Sequence, residues 1–200
     1  FNPSWQLQAS TRPPMYSNEQ TFNNSLQAMR LGNGLELPNI ASVSEVRHKP
    51  ILLPFGATRI ILRFLYFPLY DAAPGADLQQ ADLFDATTDQ LIGSLLNAQE
   101  GTGGWKARDF DLTLYAGRSI SVRFRVRNDG VAGRTLMYVD NVELEYCAQA
   151  PLPTLTPTPS STPIGTLLPT STLTPTPSAT LLTATPIGAT PTPIVVTSTP

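Results

Sequence analysis

The sequence contains a single cysteine, Cys147, and a single histidine, His48. One cysteine excludes an internal disulfide and a CxxC centre. One histidine excludes an HExxH zinc motif, and a Ser-His-Asp triad would have to use His48, within the exposed-looking basic turn Arg47-His48-Lys49-Pro50. No apolar run approaches the ~20 residues that span a bilayer. Charge is absent from a whole region: all 13 Lys and Arg and all 15 Asp and Glu lie before Ala148. The net charge of -2 leaves no electrostatic footprint for a polyphosphate, so nucleic acid is not an expected partner.

Proline has the opposite distribution. Of 20 prolines, eight precede Pro151 and the rest crowd into residues 151–200, where TPTPS starts at Thr156 and Thr174 and TPIG at Thr162 and Thr185. Each proline removes a backbone donor, fixes its own φ and biases the residue before it towards extended conformations. The expected outcome is a disordered, Pro/Thr-rich C-terminal tail over residues 149–200, a linker or stalk suited to O-glycosylation. Within it, the apolar patch Ile194, Val195, Val196 is too short to anchor anything. The chain opens at Phe1 without Met and stops within Thr/Pro sequence, and so reads as a piece of a longer protein.

Residues 1–148 suffice for one core. Their dominant pattern has period two: Ile120, Val122, Phe124 and Val126 alternate with Ser121, Arg123, Arg125 and Arg127. Thr58 to Phe67 forms a second strand, with Ile60, Leu62, Phe64 and Tyr66 on one face. Its other face is partly apolar through Ile61, Leu65 and Phe67, which predicts a central position in its sheet. Further strands are expected near Gln80–Phe84, Leu91–Leu96, Trp105–Leu112 and Leu136–Tyr146, with weaker ones near Gln27–Leu31 and Ala41–Val46. Gly101 to Gly104, Ala116-Gly117 and Asn128-Asp129-Gly130 supply turns. Short antiparallel strands without an amphipathic helix predict an all-β fold: a two-sheet antiparallel β-sandwich of jelly-roll type.

The order Trp105, Asp111-Leu112, Tyr115-Ala116-Gly117, the strand Ser119–Asn128 running into Asp129-Gly130, and Tyr138-Val-Asp-Asn-Val-Glu-Leu144 resembles the galactose-binding-like jelly-roll modules, with their carbohydrate-binding and MAM-like relatives, of secreted bacterial proteins. The match covers roughly residues 27–147. The resemblance implies an extracellular or cell-surface, monomeric, non-catalytic module that binds a glycan or a surface protein, in a parent chain that can carry a peptidase or glycosidase. Many relatives begin with an Asn-Gly-x-Phe-Glu strand, which is missing before Phe1-Asn2-Pro3-Ser4-Trp5, so the first strand is expected upstream.

Candidate sites follow. In the closing strand Tyr138, Asp140, Val142 and Leu144 share parity, which turns Asp140 inward with the core, where a carboxylate needs compensation. Hydrogen bonds provide that in one reading; the resemblance implies a structural calcium in the other. Arg59, Arg63, Arg123, Arg125 and Arg127 are expected as a stripe over one sheet. They either grip an acidic ligand, with Arg123 and Arg125 central, or pair with acids such as Asp82, Asp85 or Glu143. Trp5, Tyr16, Tyr70, Trp105 and Tyr115 are the rings available as a sugar platform. Tyr70 with Asp71, in a loop after a strand, has the best access, whereas Trp105 matches a core position. Cys147 reads as an inert thiol, or as half of a bridge to a segment outside this sequence. No spacing marks out a catalytic pair. A structural spacer or protein-interaction domain without a small-molecule ligand is the competing reading.

Overall fold

The computed structural model describes residues 3–34, 36–70, 76–101, 103–131, 133–148 and 193–198. Its strands are β1 (Trp5–Leu7), β2 (Met15–Ser17), β3 (Ala28–Gly32), β4 (Ser42–His48), β5 (Ile51–Leu52), β6 (Arg59–Tyr70), β7 (Leu78–Asp85), β8 (Leu91–Ala98), β9 (Lys106–Asp111), β10 (Ser119–Asn128), β11 (Thr135–Cys147) and β12 (Pro193–Ser198). A single 3-10 turn, Thr113–Tyr115, lies between β9 and β10.

Two antiparallel sheets form a sandwich. One runs β1-β4-β10-β7-β8, with β5 also against β10; the other runs β2-β3-β11-β6-β9, with β12 also against β11. From β5 to β11 the chain crosses repeatedly between the sheets, as a jelly roll requires. Strand β6 lies between β11 and β9, in accord with its two partly apolar faces. The alternation in β10 sends Ile120, Val122, Phe124 and Val126 into the core and Arg123, Arg125 and Arg127 outward. Opposite them β6 contributes Ile60, Leu62, Phe64 and Tyr66. The rings of Phe64 and Phe124 meet across the sandwich edge to face, 5.0 Å apart, and Trp5 adds a third ring 5.7 Å from Phe124. Gly130 supports the turn after β10: its φ is +79°, and a Cβ there would lie 2.5 Å from the Ala41 nitrogen.

A second, smaller apolar cluster lies on the outer face of the β6–β11 sheet, where Ala28, Phe67, Leu136 and Tyr138 are buried against Leu69 and Trp105. Cross-strand register explains it. Tyr138 stands opposite Arg30 on one side and Phe67 on the other, so the outer residues of three strands form one row.

One expectation is corrected here. The parity of β11 does not run unbroken, because the register shifts between Asp140 and Glu143 and Asn141 takes a left-handed φ of 52°. Before this bulge Met137 and Val139 face the main core; after it Val142 and Leu144 do. Asp140 therefore falls on the outer side with Tyr138 and Leu136, and does not face the core with Val142. Ile194, Val195 and Val196 lie within β12, paired along the edge of β11 from Val142 to Cys147. Strand β3 covers that edge only from Leu136 to Val139, which leaves the rest open to a ladder.

Phe124 fills the centre with no exposure, while Leu114 is 93% exposed. Phe124→Ala should lower the unfolding free energy by about 3–5 kcal/mol. Leu114→Ala should change it by less than about 0.5 kcal/mol. Urea titration followed by tryptophan emission measures both, and similar losses at the two positions would contradict the packing described.

Candidate functional site

Residues 18–27, between β2 and β3, cross the outer face of the β6–β11 sheet and are fastened to it at two points. At the first, Arg30, 8% exposed on β3, donates to both carboxylate oxygens of Glu19 at 3.1 Å and pairs with Glu36 at 3.0 Å. The Tyr138 hydroxyl donates to the same Glu19. That hydroxyl bond, together with Arg30, holds the Glu19 carboxyl below its usual range. Burial and the neighbouring Glu19 carboxylate push the Tyr138 hydroxyl up. Burial alone would lower Arg30, but the two glutamates outweigh it and raise it.

The second point is Asp140, which is 1% exposed. One of its oxygens accepts the Phe22 backbone N–H at 3.2 Å and the other accepts that of Asn141 at 2.8 Å. Beside it Phe22 meets Trp105 with ring centres 5.9 Å apart, and Trp105 meets Phe67 at 5.6 Å. Between this part of the loop and the β11 bulge lies an open hollow of about 560 Å³, lined by Phe22, Asn23, Asn24, Ser25, Leu26, Gln27 and Asn141.

The chemistry of the lining is uniform: no ionisable side chain, and four carboxamides from Asn23, Asn24, Gln27 and Asn141. Three of them stand on left-handed backbone, with φ of 41° at Asn23, 64° at Asn24 and 52° at Asn141, which asparagine tolerates better than other non-glycine residues. Those amides present donors and acceptors side by side. The sequence contains a sign of this in the pair Asn23-Asn24, but the loop has no periodicity to place it.

The described members of the expected site, Tyr70, Arg123 and Arg125, do not gather in one place. Tyr70 ends β6 opposite Thr135 and is half-buried; Asp71 lies outside the described residues. Arg123 and Arg125 stand on the outer face of the other sheet. The stripe of five arginines is divided, because Arg59 and Arg63 belong to β6 while Arg123, Arg125 and Arg127 belong to β10. Internal partners meet several of them: Arg123 bonds Asp82 at 2.6 Å and reaches Glu45 at 3.7 Å, Arg125 lies 3.5 Å from Glu45, and Arg63 chelates Asp109 at 2.8 and 3.0 Å. The guanidiniums of Arg47 and Arg123 both lie over the Phe84 ring, 4.5 and 4.6 Å from its centre. His48 is not an exposed turn residue: it ends β4, half-buried, with its ring 4.8 Å edge-on from Trp5 and Nδ1 2.7 Å from the Lys49 carbonyl. Burial holds its imidazole below the usual value.

A calcium ion at Asp140 is not supported by its surroundings. Calcium takes about six to eight oxygen ligands, whereas both Asp140 oxygens face N–H donors. Among the described residues no group of three or more His, Cys, Asp or Glu is arranged to hold a metal. The residues present do not fit the ion.

No protein-family model matches the sequence, and no curated protein does. Solved structures do. The K1 cleaved adhesin domain of Lys-gingipain from Porphyromonas gingivalis W83 matches at 15% identity and a TM-score of 0.48, over 75% of this chain and 94% of that one. A family 16 carbohydrate-binding module matches at 16% identity and a TM-score of 0.41, over 67% and 86%. The first family 27 module of Caldicellulosiruptor saccharolyticus, solved with mannohexaose, matches at 12% identity and a TM-score of 0.40, over 70% and 88%.

Asp140→Ala strands two backbone donors beneath the loop and should cost about 2–4 kcal/mol of stability. The unfolding midpoint of the unaltered protein should be the same in calcium and in EDTA. A rise of several degrees in calcium would restore the cation reading.

Proposed function

We propose that this chain is a non-catalytic binding module whose contact surface is the amide-lined hollow between the β2–β3 loop and the β11 bulge, and whose ligand is a neutral glycan segment. The observation that carries this reading is the lining itself: four carboxamides beside the Phe22 ring, with no charged group. Sugar hydroxyls donate and accept at adjacent positions, and paired carboxamides answer both roles without the desolvation cost of a formal charge. The fastening at Glu19 and Asp140 presets the loop, which reduces the entropy lost on binding.

The non-catalytic part of the reading rests on how the titratable groups are committed. In the Glu100 cluster, Lys106 bonds Glu100 at 2.7 Å, the Tyr66 hydroxyl donates to it at 2.9 Å, and Arg108 donates to Tyr66 at 3.0 Å. Burial, then the Glu100 bond, pushes Tyr66 up to about 12, so it keeps its proton at neutral pH and is a poor base. Among the described residues no helix is long and apolar enough to cross a membrane. An extracellular or surface setting, with the Thr/Pro segment as a spacer, accords with the composition of residues 149–200.

A second reading, a protein-interaction module, is favoured by one observation. Leu52, Phe55 and Leu114 are 72%, 95% and 93% exposed on segments tied together by the Leu53–Arg118 and Gly117–Leu53 backbone bonds.

Isothermal titration with neutral manno-, xylo- and gluco-oligosaccharides, beside a sialylated oligosaccharide of similar length, tests the proposal. Binding of a neutral probe is expected, and Asn23→Gly with Asn141→Gly should weaken it roughly tenfold or more, as expected for lost hydrogen bonds. Glycine accepts the left-handed backbone at both positions, so the unfolding midpoint should hold. Failure of every neutral probe to bind above millimolar affinity would move the reading to the protein-interaction module.

A further inference from the structure

Three residues at the rim of the hollow carry a pattern with a chemistry of its own. In Asn23-Asn24-Ser25 an asparagine is followed two places later by a hydroxyl residue, the arrangement at which secreted proteins accept an oligosaccharide on the asparagine side chain. The chain has no second usable copy. Asn2-Pro3-Ser4 has proline in the middle place, which blocks acceptance, and no other asparagine has serine or threonine two residues on.

The fold presents this one copy to solvent. Asn23 and Asn24 are exposed and form the central pair of a tight turn, closed by the Ser25 N–H donating to the Phe22 carbonyl at 2.9 Å. Both have positive φ, 41° and 64°, as the central residues of a type I′ turn do. Left-handed backbone accounts for the two asparagines, but it sets no demand for a hydroxyl at the next position. The Ser25 hydroxyl donates to the Gln27 carbonyl at 3.0 Å, and its oxygen keeps lone pairs with which to accept. Among the described residues no group bonds the Asn23 carboxamide. Asn33 and Asn128, by contrast, are buried and donate to the Ile40 and Thr135 carbonyls.

We propose that Asn23 is the acceptor of an N-linked glycan, and that the attached sugars occupy the amide-lined hollow. In the transfer, Asn23 Nδ2 forms a bond to the anomeric carbon of an oligosaccharide carried on a lipid diphosphate. The bond from that carbon to the phosphate oxygen breaks, the lipid diphosphate leaves with the electron pair, and Nδ2 gives up one of its two protons. Nothing is oxidised or reduced. The first sugar then stands on the rim of the hollow, with the carboxamides of Asn24, Gln27 and Asn141 around it. A chain modified in this way is closed to a free glycan, so attachment switches the hollow off. The acceptor role rests on the extracellular setting proposed above, and the switching rests on the hollow being the contact surface.

The test begins with the full chain isolated from the cells that naturally make it. Mass spectrometry of a proteolytic peptide containing residues 18–27 should show the added mass of an oligosaccharide, which a peptide N-glycosidase removes while converting Asn23 to an aspartate. Expressed in the same cells, Asn23→Gln and Ser25→Ala should lose the added mass, whereas Ser25→Thr should keep it. The acceptor role is overturned if a chain recovered from the medium or the cell surface carries the peptide at its unmodified mass alone, or if the added mass survives Asn23→Gln. A chain recovered only from inside the cells would overturn the setting and the acceptor role together. Switching is read separately, by titrating modified and unmodified chains with the same neutral oligosaccharides: the unmodified chain should bind and the modified chain should not. Equal binding by both forms would overturn the switch and leave the acceptor in place. Binding by neither form would overturn the switch together with the neutral-glycan reading of the hollow, while the mass of the peptide still decides the acceptor.

Discussion

A carboxylate buried beneath a loop needs hydrogen-bond donors, and the way Asp140 obtains them organises one face of this protein. The donors are the backbone N–H groups of Phe22, in the loop above, and of Asn141, the next residue in the chain. Neither contact would exist on an unbroken β11, where Asp140 would share the core side of Val142 and Leu144. The register shift after Asp140 puts the carboxylate on the outer side of the sheet while returning Val142 and Leu144 to the interior. One irregularity thus satisfies two incompatible demands: a polar anchor for the loop and an apolar closing strand for the core.

The two outer faces of the sandwich solve the problem of exposure differently. On the β10 side, alternation leaves arginines above an otherwise apolar strand, and the neighbouring strands offer Asp82, Glu45 and the Phe84 ring to receive them. On the β11 side the outward residues include Phe67, Tyr138 and Leu136, too apolar to be left in water, and the β2–β3 loop with Trp105 covers them. A cover must be held in place, hence the Glu19–Arg30–Tyr138 cluster and the Asp140 contact. Where the cover ends, the amides of Asn23, Asn24, Gln27 and Asn141 face the open hollow. The candidate site is a by-product of covering an apolar outer face with a short polar loop.

Much of this architecture could be read from residues alone. Strand β10 was legible to its ends because its alternation is unbroken and Asn128-Asp129-Gly130 marks its stop. The length of β11 was also legible, but the face of Asp140 was not, since parity assumes a continuous pleat and nothing in Asp140-Asn141-Val142 except a turn-tolerant asparagine marks the bulge. Strands β1, β2 and β5 span only two or three residues each, below the length at which alternation can be recognised. Arg59 and Arg63 were grouped with the β10 arginines because charge pattern carries no information about which sheet a strand joins. Strand β12 was hidden by the prolines around it, and its pairing depends on an edge that only the short reach of β3 leaves open.

The central claim, that Asp140 pins the loop from the outer side of a bulged β11, is tested most directly by the exchange rate of one proton, the Phe22 amide. Loop amides free in water exchange quickly, whereas one donating to a buried carboxylate is released only when the loop lifts. The account predicts that the Phe22 amide is strongly protected in the native protein and that Asp140→Ala abolishes this protection while amides across β10 keep theirs. An unprotected Phe22 amide in the unaltered protein, or protection that survives Asp140→Ala, would contradict it.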